Sequence, residues 1–357
     1  MTLYSWVYLL LGGLRLTLAG QPGLQRQIYW LVLLFLFLFV AFRFEIGCDW
    51  SGYLNQFDLQ RDGGFAETLE ARDPAWWTLL EAVHVLGLPY PWINVGTALI
   101  FFTGIHMLAQ RQPDPLAFLI LLFPVLVIQM PMSALRQACA IGVMCMAFCA
   151  FMDARLFRFI ALTAVAALFH ASAALFILLA PLVRGRLTPG RILAAAVLAL
   201  PGGLVLLSGE LAEIARDRYL DSGLEAYGAV YRVAVLSLTG LFFFVMMRRP
   251  WNQQFPADVR FATIGAGIMV ALFGVVQLSS VIGDRIGYYM IPIQAMLFAR
   301  IPYLRLGPLR PLFTIGPWLG LGFLLTYWTL SSFHFGVCYR DYRSWMFGFP
   351  RDVTFPF

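Results

Sequence analysis

In this apolar chain, the side chains capable of chemistry are gathered in a few short clusters. The first is Arg43-Phe-Glu-Ile-Gly-Cys-Asp49-Trp-Ser-Gly-Tyr53. Gly47 and Gly52 permit a tight backbone path that would bring Arg43, Asp49 and Tyr53 together. The second is Met132-Ser-Ala-Leu-Arg136-Gln137, ahead of an uninterrupted apolar run. An arginine in the first turn of a helix opposes the macrodipole, so it requires a local anion, such as a phosphate or carboxylate held also by the helix amides. The third is Phe169-His170-Ala-Ser172, where two apolar runs meet; its histidine can titrate near neutral pH. The fourth is Gly283-Asp284-Arg285-Ile-Gly-Tyr288-Tyr289, before an apolar run, with Arg285 one helical turn from the tyrosines. The fifth, Cys338-Tyr-Arg-Asp-Tyr-Arg-Ser-Trp345, has the composition of an interfacial anchor. Arg232 follows an acidic stretch and is a weaker candidate. Each cluster also has a plain reading: snorkelling arginines, a histidine satisfied by a backbone carbonyl, an aromatic belt.

The arginine fork donates two hydrogen bonds at once and stays charged, which suits di-anionic phosphate groups. Such a cluster can stabilise pyrophosphate as it leaves, without a metal. A histidine or carboxylate beside it can act as general base on an acceptor hydroxyl, and flat aromatic rings suit sugars. The chain carries no HExxH, acidic metal cage, P-loop, dinucleotide fingerprint or GxSxG, so neither a metal nor a cofactor is expected. The five cysteines (Cys48, Cys139, Cys145, Cys149, Cys338) lack zinc-type spacing with histidine, and no disulfide framework is read from them.

What positions these clusters follows from composition. Of 357 residues, 61% are hydrophobic and 12% charged, and mean hydropathy is +0.77. A soluble domain carries roughly twice that charged share, so lipid is the solvent here. Apolar runs of spanning length fall at 2–19, 28–42, 92–109, 115–131, 133–152, 156–170, 171–183, 192–208, 230–247, 261–281, 286–301 and 311–330. The expectation is an all-α, polytopic transmembrane helix bundle of about 12 spans, a single domain over 1–357, GT-C-like in general architecture. Residues 2–19 lack a basic start and a cleavage site and read as the first span. Segment 75–90 carries Glu81 and His84 and reads as an interfacial or half-inserted helix.

The net charge of +6 comes from arginine alone, spread over short connections, which speaks for topology and against nucleic-acid binding. One set of connections holds 13 arginines and 3 acids, whereas loop 43–90 has 3 arginines and 8 acids and loop 209–229 has 2 and 5. The first set is expected in the cytoplasm and the two acidic loops outside, with both termini. All five clusters then fall on the outer face, where ionisable residues mark function by default.

The order Arg43…Gly47-x-Asp49…Tyr53, Arg136-Gln137, His170-x-Ser172-Ala173, Arg285-x-x-Tyr288 resembles the EpsG-like branch of Wzy-type polysaccharide polymerases, over roughly residues 1–345. That resemblance implies transfer of a growing glycan from a polyprenyl-pyrophosphate carrier onto the non-reducing end of an undecaprenyl-pyrophosphate-linked oligosaccharide repeat. The setting would be the periplasmic face of a bacterial inner membrane, in exopolysaccharide, capsule or O-antigen synthesis, with a chain-length regulator as a possible partner. Arg136 and Arg285 would bind pyrophosphate with Arg43 beside them. His170, in preference to Asp49, would be the base. Gln137, Tyr53 and Tyr288 would orient sugars or arginines, with Arg232 a further binding residue. The sequence departs from the expected pattern at Cys48, where a small hydroxyl or apolar residue would precede Asp49. An O-antigen-ligase type usually has a larger late loop than 209–229. A lipid-linked oligosaccharide flippase predicts mid-membrane charges and a repeat. An O-acyltransferase would need an acyl-transfer site that the arginine-only cytoplasmic loops lack.

Overall fold

The fold is given by a computed structural model, which describes residues 1–60, 64–185 and 228–349, with residues 188, 190, 191, 193 and 197. The expected span 192–208 and almost all of loop 209–229 lie outside the described residues. The chain divides into two compact units: Met1–Met146, Val165–Ala171 and Leu312–Phe357 form the first, and Ala147–Ala164 with Ser172–Pro311 the second.

In the first unit, α1 (Leu3–Thr17) and α2 (Pro22–Ala41) are followed by a short strand, β1 (Arg43–Phe44). The acidic segment then folds as three helices, α3 (Trp50–Leu59), α4 (Phe65–Glu70) and α5 (Pro74–Val85). The 12-residue α5 is about 18 Å long at 1.5 Å per residue, too short to cross a bilayer, in keeping with its reading as a non-spanning helix. It is held by a small core of its own: Tyr53, Phe57, Trp76, Leu80, Val83, Tyr90, Ile93 and Leu135. Trp76 and Leu80 are fully buried there, and each such side chain contributes roughly 1.5–3 kcal/mol. Because Ile93 and Leu135 belong to the next long helices, this core fastens the acidic segment to the bundle.

Those helices are α6 (Trp92–Ala109) and α8 (Leu135–Met152). Between them α7 (Pro115–Leu122) runs into a π-helical turn, Phe123–Val127, at Pro124, whose missing N–H breaks the regular ladder. A Cβ on Gly104 would lie 1.8 Å from the Gly142 carbonyl oxygen, so α6 and α8 meet backbone to backbone. The chain continues through α9 (Leu156–Phe169) and a 3₁₀ stretch, Ala171–Leu182. In the second unit, α10 (Ala229–Phe242) passes through a π-helical turn, Phe243–Met247, into α11 (Arg248–Gln254), followed by α12 (Val259–Leu278) and α13 (Ser280–Arg300). Helix α14 (Arg310–Ser331) returns to the first unit, followed by α15 (Phe333–Cys338) and strand β2 (Arg343–Ser344).

Among the described residues six helices are long and apolar enough to cross a membrane: Pro22–Ala41, Trp92–Ala109, Leu135–Met152, Ala229–Gln254, Val259–Leu278 and Gly307–Ser331. They coincide with six of the twelve expected crossings, and the chain is a multi-pass membrane protein. Pro115–Val127, Leu156–Phe169 and Ala171–Leu182 are shorter apolar helices. The expected crossing at 286–301 begins earlier: α13 starts at Ser280, so Asp284 and Arg285 sit inside the helix and not in a loop before it.

Two expectations are corrected at the chain's end. Cys48 and Cys338 form a disulfide across 290 residues, so the cysteines do contribute a covalent link. The other three, Cys139, Cys145 and Cys149, are buried and free. The tail is also more than an anchor. β2 pairs antiparallel with β1, Arg43 opposite Ser344 and Phe44 opposite Arg343. The Tyr342 ring stacks on Phe39 at 4.5 Å, and its hydroxyl donates to the Phe39 carbonyl at 2.7 Å.

Candidate functional site

The turn that follows α2 is shaped by one glycine. Gly47 has φ +104°, and a Cβ there would lie 1.9 Å from the Met132 carbonyl oxygen. Only glycine tolerates both the left-handed backbone and this approach. Gly52, in contrast, is an ordinary helical residue of α3 with open space around it. The Gly47 contact brings the Arg43–Asp49 turn against Met132-Ser133, which opens α8. The Ser133 hydroxyl donates to the Asp49 carboxylate at 3.1 Å.

Arg43, expected beside the substrate, lies buried within the turn. It is 1% exposed. Its Nε donates to the carbonyls of Met132 (3.0 Å) and Ile46 (3.2 Å), and Nη1 to that of Val40 (2.9 Å). Burial pushes its pKa down to about 10, which leaves it charged at neutral pH, with the carbonyl dipoles as its counter-charge. Arg43 therefore braces the turn from behind.

Arg136 lies in the first turn of α8, and the anion it required is on the protein. Its Nη1 is 3.0 Å from the Asp73 carboxylate, in a pair whose side chains are 33% and 7% exposed. Asp73 precedes Pro74 at the N-terminus of α5. It adopts the left-handed conformation (φ 61°, ψ 57°), and its side chain makes no capping bond to the helix. The carboxylate that would ordinarily cap α5 is spent on Arg136. Arg136 Nε is buried and has no hydrogen-bond partner. Tyr53 joins Arg136 and Asp49: burial raises its hydroxyl pKa to about 12, the Asp49 charge adds to this and the Arg136 charge opposes it. Its ring rests on Trp76 at 4.8 Å, while Trp76 Nε1 donates to Gln56 at 2.9 Å. Gln137 is buried in the same turn of α8. Asp49, Tyr53, Asp73, Ser133 and Arg136 are thus one neighbourhood at one end of the first unit.

The opposite end of that unit carries structural pairs only among its described contacts. Arg15 pairs with Asp114, which also caps α7 by accepting from the Ala117 amide at 2.8 Å. The Tyr29 hydroxyl lies 2.9 Å from His106 Nδ1.

In the second unit, Arg232 and Asp284 form a two-point pair, Nε to Oδ1 and Nη2 to Oδ2, both 2.8 Å. Asp284 is therefore committed to Arg232 and not to its neighbour Arg285. The Arg232 guanidinium sits 5.4 Å from the centre of the buried Tyr288 ring. One residue on, the Tyr289 hydroxyl is 3.1 Å from Ser172 Oγ. Arg285 is half-buried on the same helix. The unit's other end holds arginines that the charge count groups on a single side: Arg184 Nε donates to the Ala154 carbonyl, Arg260 Nη1 to that of Gly185, and buried Arg300 pairs with Asp258 at 2.7 Å beneath Trp251 and Phe255.

His170 closes α9, its amide donating to the Ala166 carbonyl at 3.1 Å, and its ring is half-buried. The structure so gives two clusters, each described within its own unit. Sequence reasoning missed Asp73. Its only signal was an Asp-Pro helix start, and nothing in the sequence links it to an arginine 63 residues away. Among the described residues no group of three or more histidine, cysteine or acidic side chains could hold a metal ion.

Residues 27–344 match the family model described as the EpsG family, and the chain belongs to that family. No curated protein and no solved structure shows a significant match. Membership points to a Wzy-like, glycosyltransferase-type polymerase of polysaccharide biosynthesis.

Proposed function

We propose that this EpsG family member polymerises lipid-linked oligosaccharide repeats, transferring the growing glycan from a polyprenyl-pyrophosphate carrier to the non-reducing end of an incoming repeat. The observation that carries the reading is the family match over 27–344. The geometry supports it through Arg136, which holds the Asp73 carboxylate, keeps Nε without a hydrogen-bond partner and lies close to Tyr53. In this reading the Arg136 guanidinium receives the pyrophosphate, with Gln137 and Tyr53 orienting it. Within the second unit Arg285, Tyr288 and Arg232 are the proposed substrate-binding residues. His170 or Asp49 takes the acceptor proton, so the glycosyl C1–O bond to pyrophosphate breaks as the acceptor oxygen attacks, and the arginines carry the departing charge. Arg43 holds the turn on which Asp49 sits.

The finer parts of the proposal are a GT-C-like bundle of about a dozen crossings, an undecaprenyl carrier and a site facing the periplasm of a bacterial inner membrane. The disulfide supports that sidedness independently of the charge count, because disulfides persist where the compartment is oxidising, and Cys48 is next to Asp49.

Arg285 tests the proposal in cells that depend on this protein for polymer. Arg285→Ala is expected to abolish polymer and Arg285→Lys to reduce it strongly, because a lysine has no planar fork. Both proteins should accumulate in the membrane at the native level. Full-length polymer from both variants would show that Arg285 only snorkels.

A further inference from the structure

The Cys48–Cys338 bond occupies the position where the sequence departs from the expected pattern, and its surroundings give it work to do. Three contacts tie the tail to the turn between α2 and α3 alongside it. The Gly47 amide donates to the Cys338 carbonyl at 2.9 Å, the Trp345 amide to the Phe42 carbonyl at 2.9 Å, and Arg343 pairs with Glu45 at 3.3 Å. On its other side the same turn rests on Met132 and Ser133, through the Gly47 approach and the Arg43 and Asp49 bonds. Residues 43–49 are thus clamped between the tail and the start of α8, and Asp49 is covalently adjacent to the clamp. Cys48 is exposed and Cys338 half-buried, so the bond is open to thiol–disulfide exchange.

We propose that Cys48 and Cys338 are positioning residues whose disulfide fixes Asp49 against Ser133 and, through α8, sets the Arg136 site, so that the dithiol form is a poorly active one. The inference rests on the polymerase reading of that site. Its formation step is an exchange with an oxidised dithiol protein or small disulfide: the two thiols lose two protons and two electrons, the S–S bond forms, and the exchange partner takes them up as its S–S bond opens to two thiols. Reduction by dithiothreitol runs the reverse, and the reagent closes to its cyclic disulfide.

The test uses the full chain in proteoliposomes, reduced after folding so that assembly is not at issue, with maleimide labelling to verify reduction. Hydrogen exchange is followed over 42–50, 132–137 and 339–346, and turnover of a synthetic lipid-pyrophosphate repeat is measured in parallel. Reduction is expected to raise exchange in all three segments and to lower kcat by on the order of 10- to 100-fold, the effect of misplacing a site by about an ångström, with a smaller change in KM. Oxidised glutathione should restore both. The Cys48→Ala/Cys338→Ala protein should accumulate normally, turn over slowly and ignore either reagent. Complete reduction with unchanged exchange, or with raised exchange but unchanged kcat, would overturn the proposal. An oxidised protein that makes no polymer at all would count against the polymerase reading instead, and the exchange measurement would still decide whether the bond is a clamp.

Discussion

Arg136→Ala is expected to abolish polymer while the protein still inserts and accumulates. The side chain lies in the first turn of α8 and is one-third exposed, so its removal is expected to leave the helix in place. What is lost is the fork beside Asp73 and Tyr53. Removing one well-placed donor to a developing negative charge costs on the order of 10²- to 10³-fold in rate. Arg136→Lys is expected to lose most of that too, because an ammonium on Asp73 presents no second planar donor. Asp73→Asn should be milder, on the order of ten-fold, because it frees the guanidinium from its orientation without deleting it, and it should add nothing in an Arg136→Ala background. Turnover in vitro and membrane abundance by immunoblot separate these outcomes. An Asp73→Asn effect that persists in the absence of Arg136 would show that Asp73 acts through something else.

The second large effect concerns folding. Gly47→Ala is expected to unseat the turn, because a Cβ would have to share space with the Met132 backbone carbonyl, which no rotamer change can relieve. The left-handed backbone alone costs about 1–3 kcal/mol for a non-glycine residue. Displacing Met132 also removes one acceptor of buried Arg43. The measurement is thermal unfolding in detergent, where Gly47→Ala should melt well below the native chain. Gly52→Ala is the matched control: it lies five residues on, in a helix, with nothing near its Cβ. It should be neutral or slightly stabilising, by about 0.5–1 kcal/mol. Equal melting temperatures for the two variants would show that the turn is not packed as described.

These contrasts mark how far the sequence could be read. The bilayer was legible in composition, and the six helices of spanning length and hydropathy were legible as runs, since burial in lipid needs no partner residue to be identified. The positions of Arg136 and of Asp284-Arg285 relative to helix starts were nearly legible, the latter missed by a helix that begins earlier. The need for an anion near Arg136 followed from the macrodipole. That the anion is Asp73 did not, because the pairing depends on where α5 lands. Arg43 and Arg136 looked alike as arginines at span ends. Only the fold reveals that one is buried against backbone carbonyls and the other keeps a buried Nε without a hydrogen-bond partner. Gly47 and Gly52 looked alike for the same reason. The disulfide was illegible because 290 residues separate its cysteines, and spacing carries no information at that range.

The central claim is tested most directly by a gel of lipid-linked products from the purified, oxidised protein and a synthetic lipid-pyrophosphate repeat. A ladder of products rising by one repeat unit, absent with Arg136→Ala, is the expected result. A single transfer would identify a ligase. An unchanged substrate in every lane would contradict the polymerase reading.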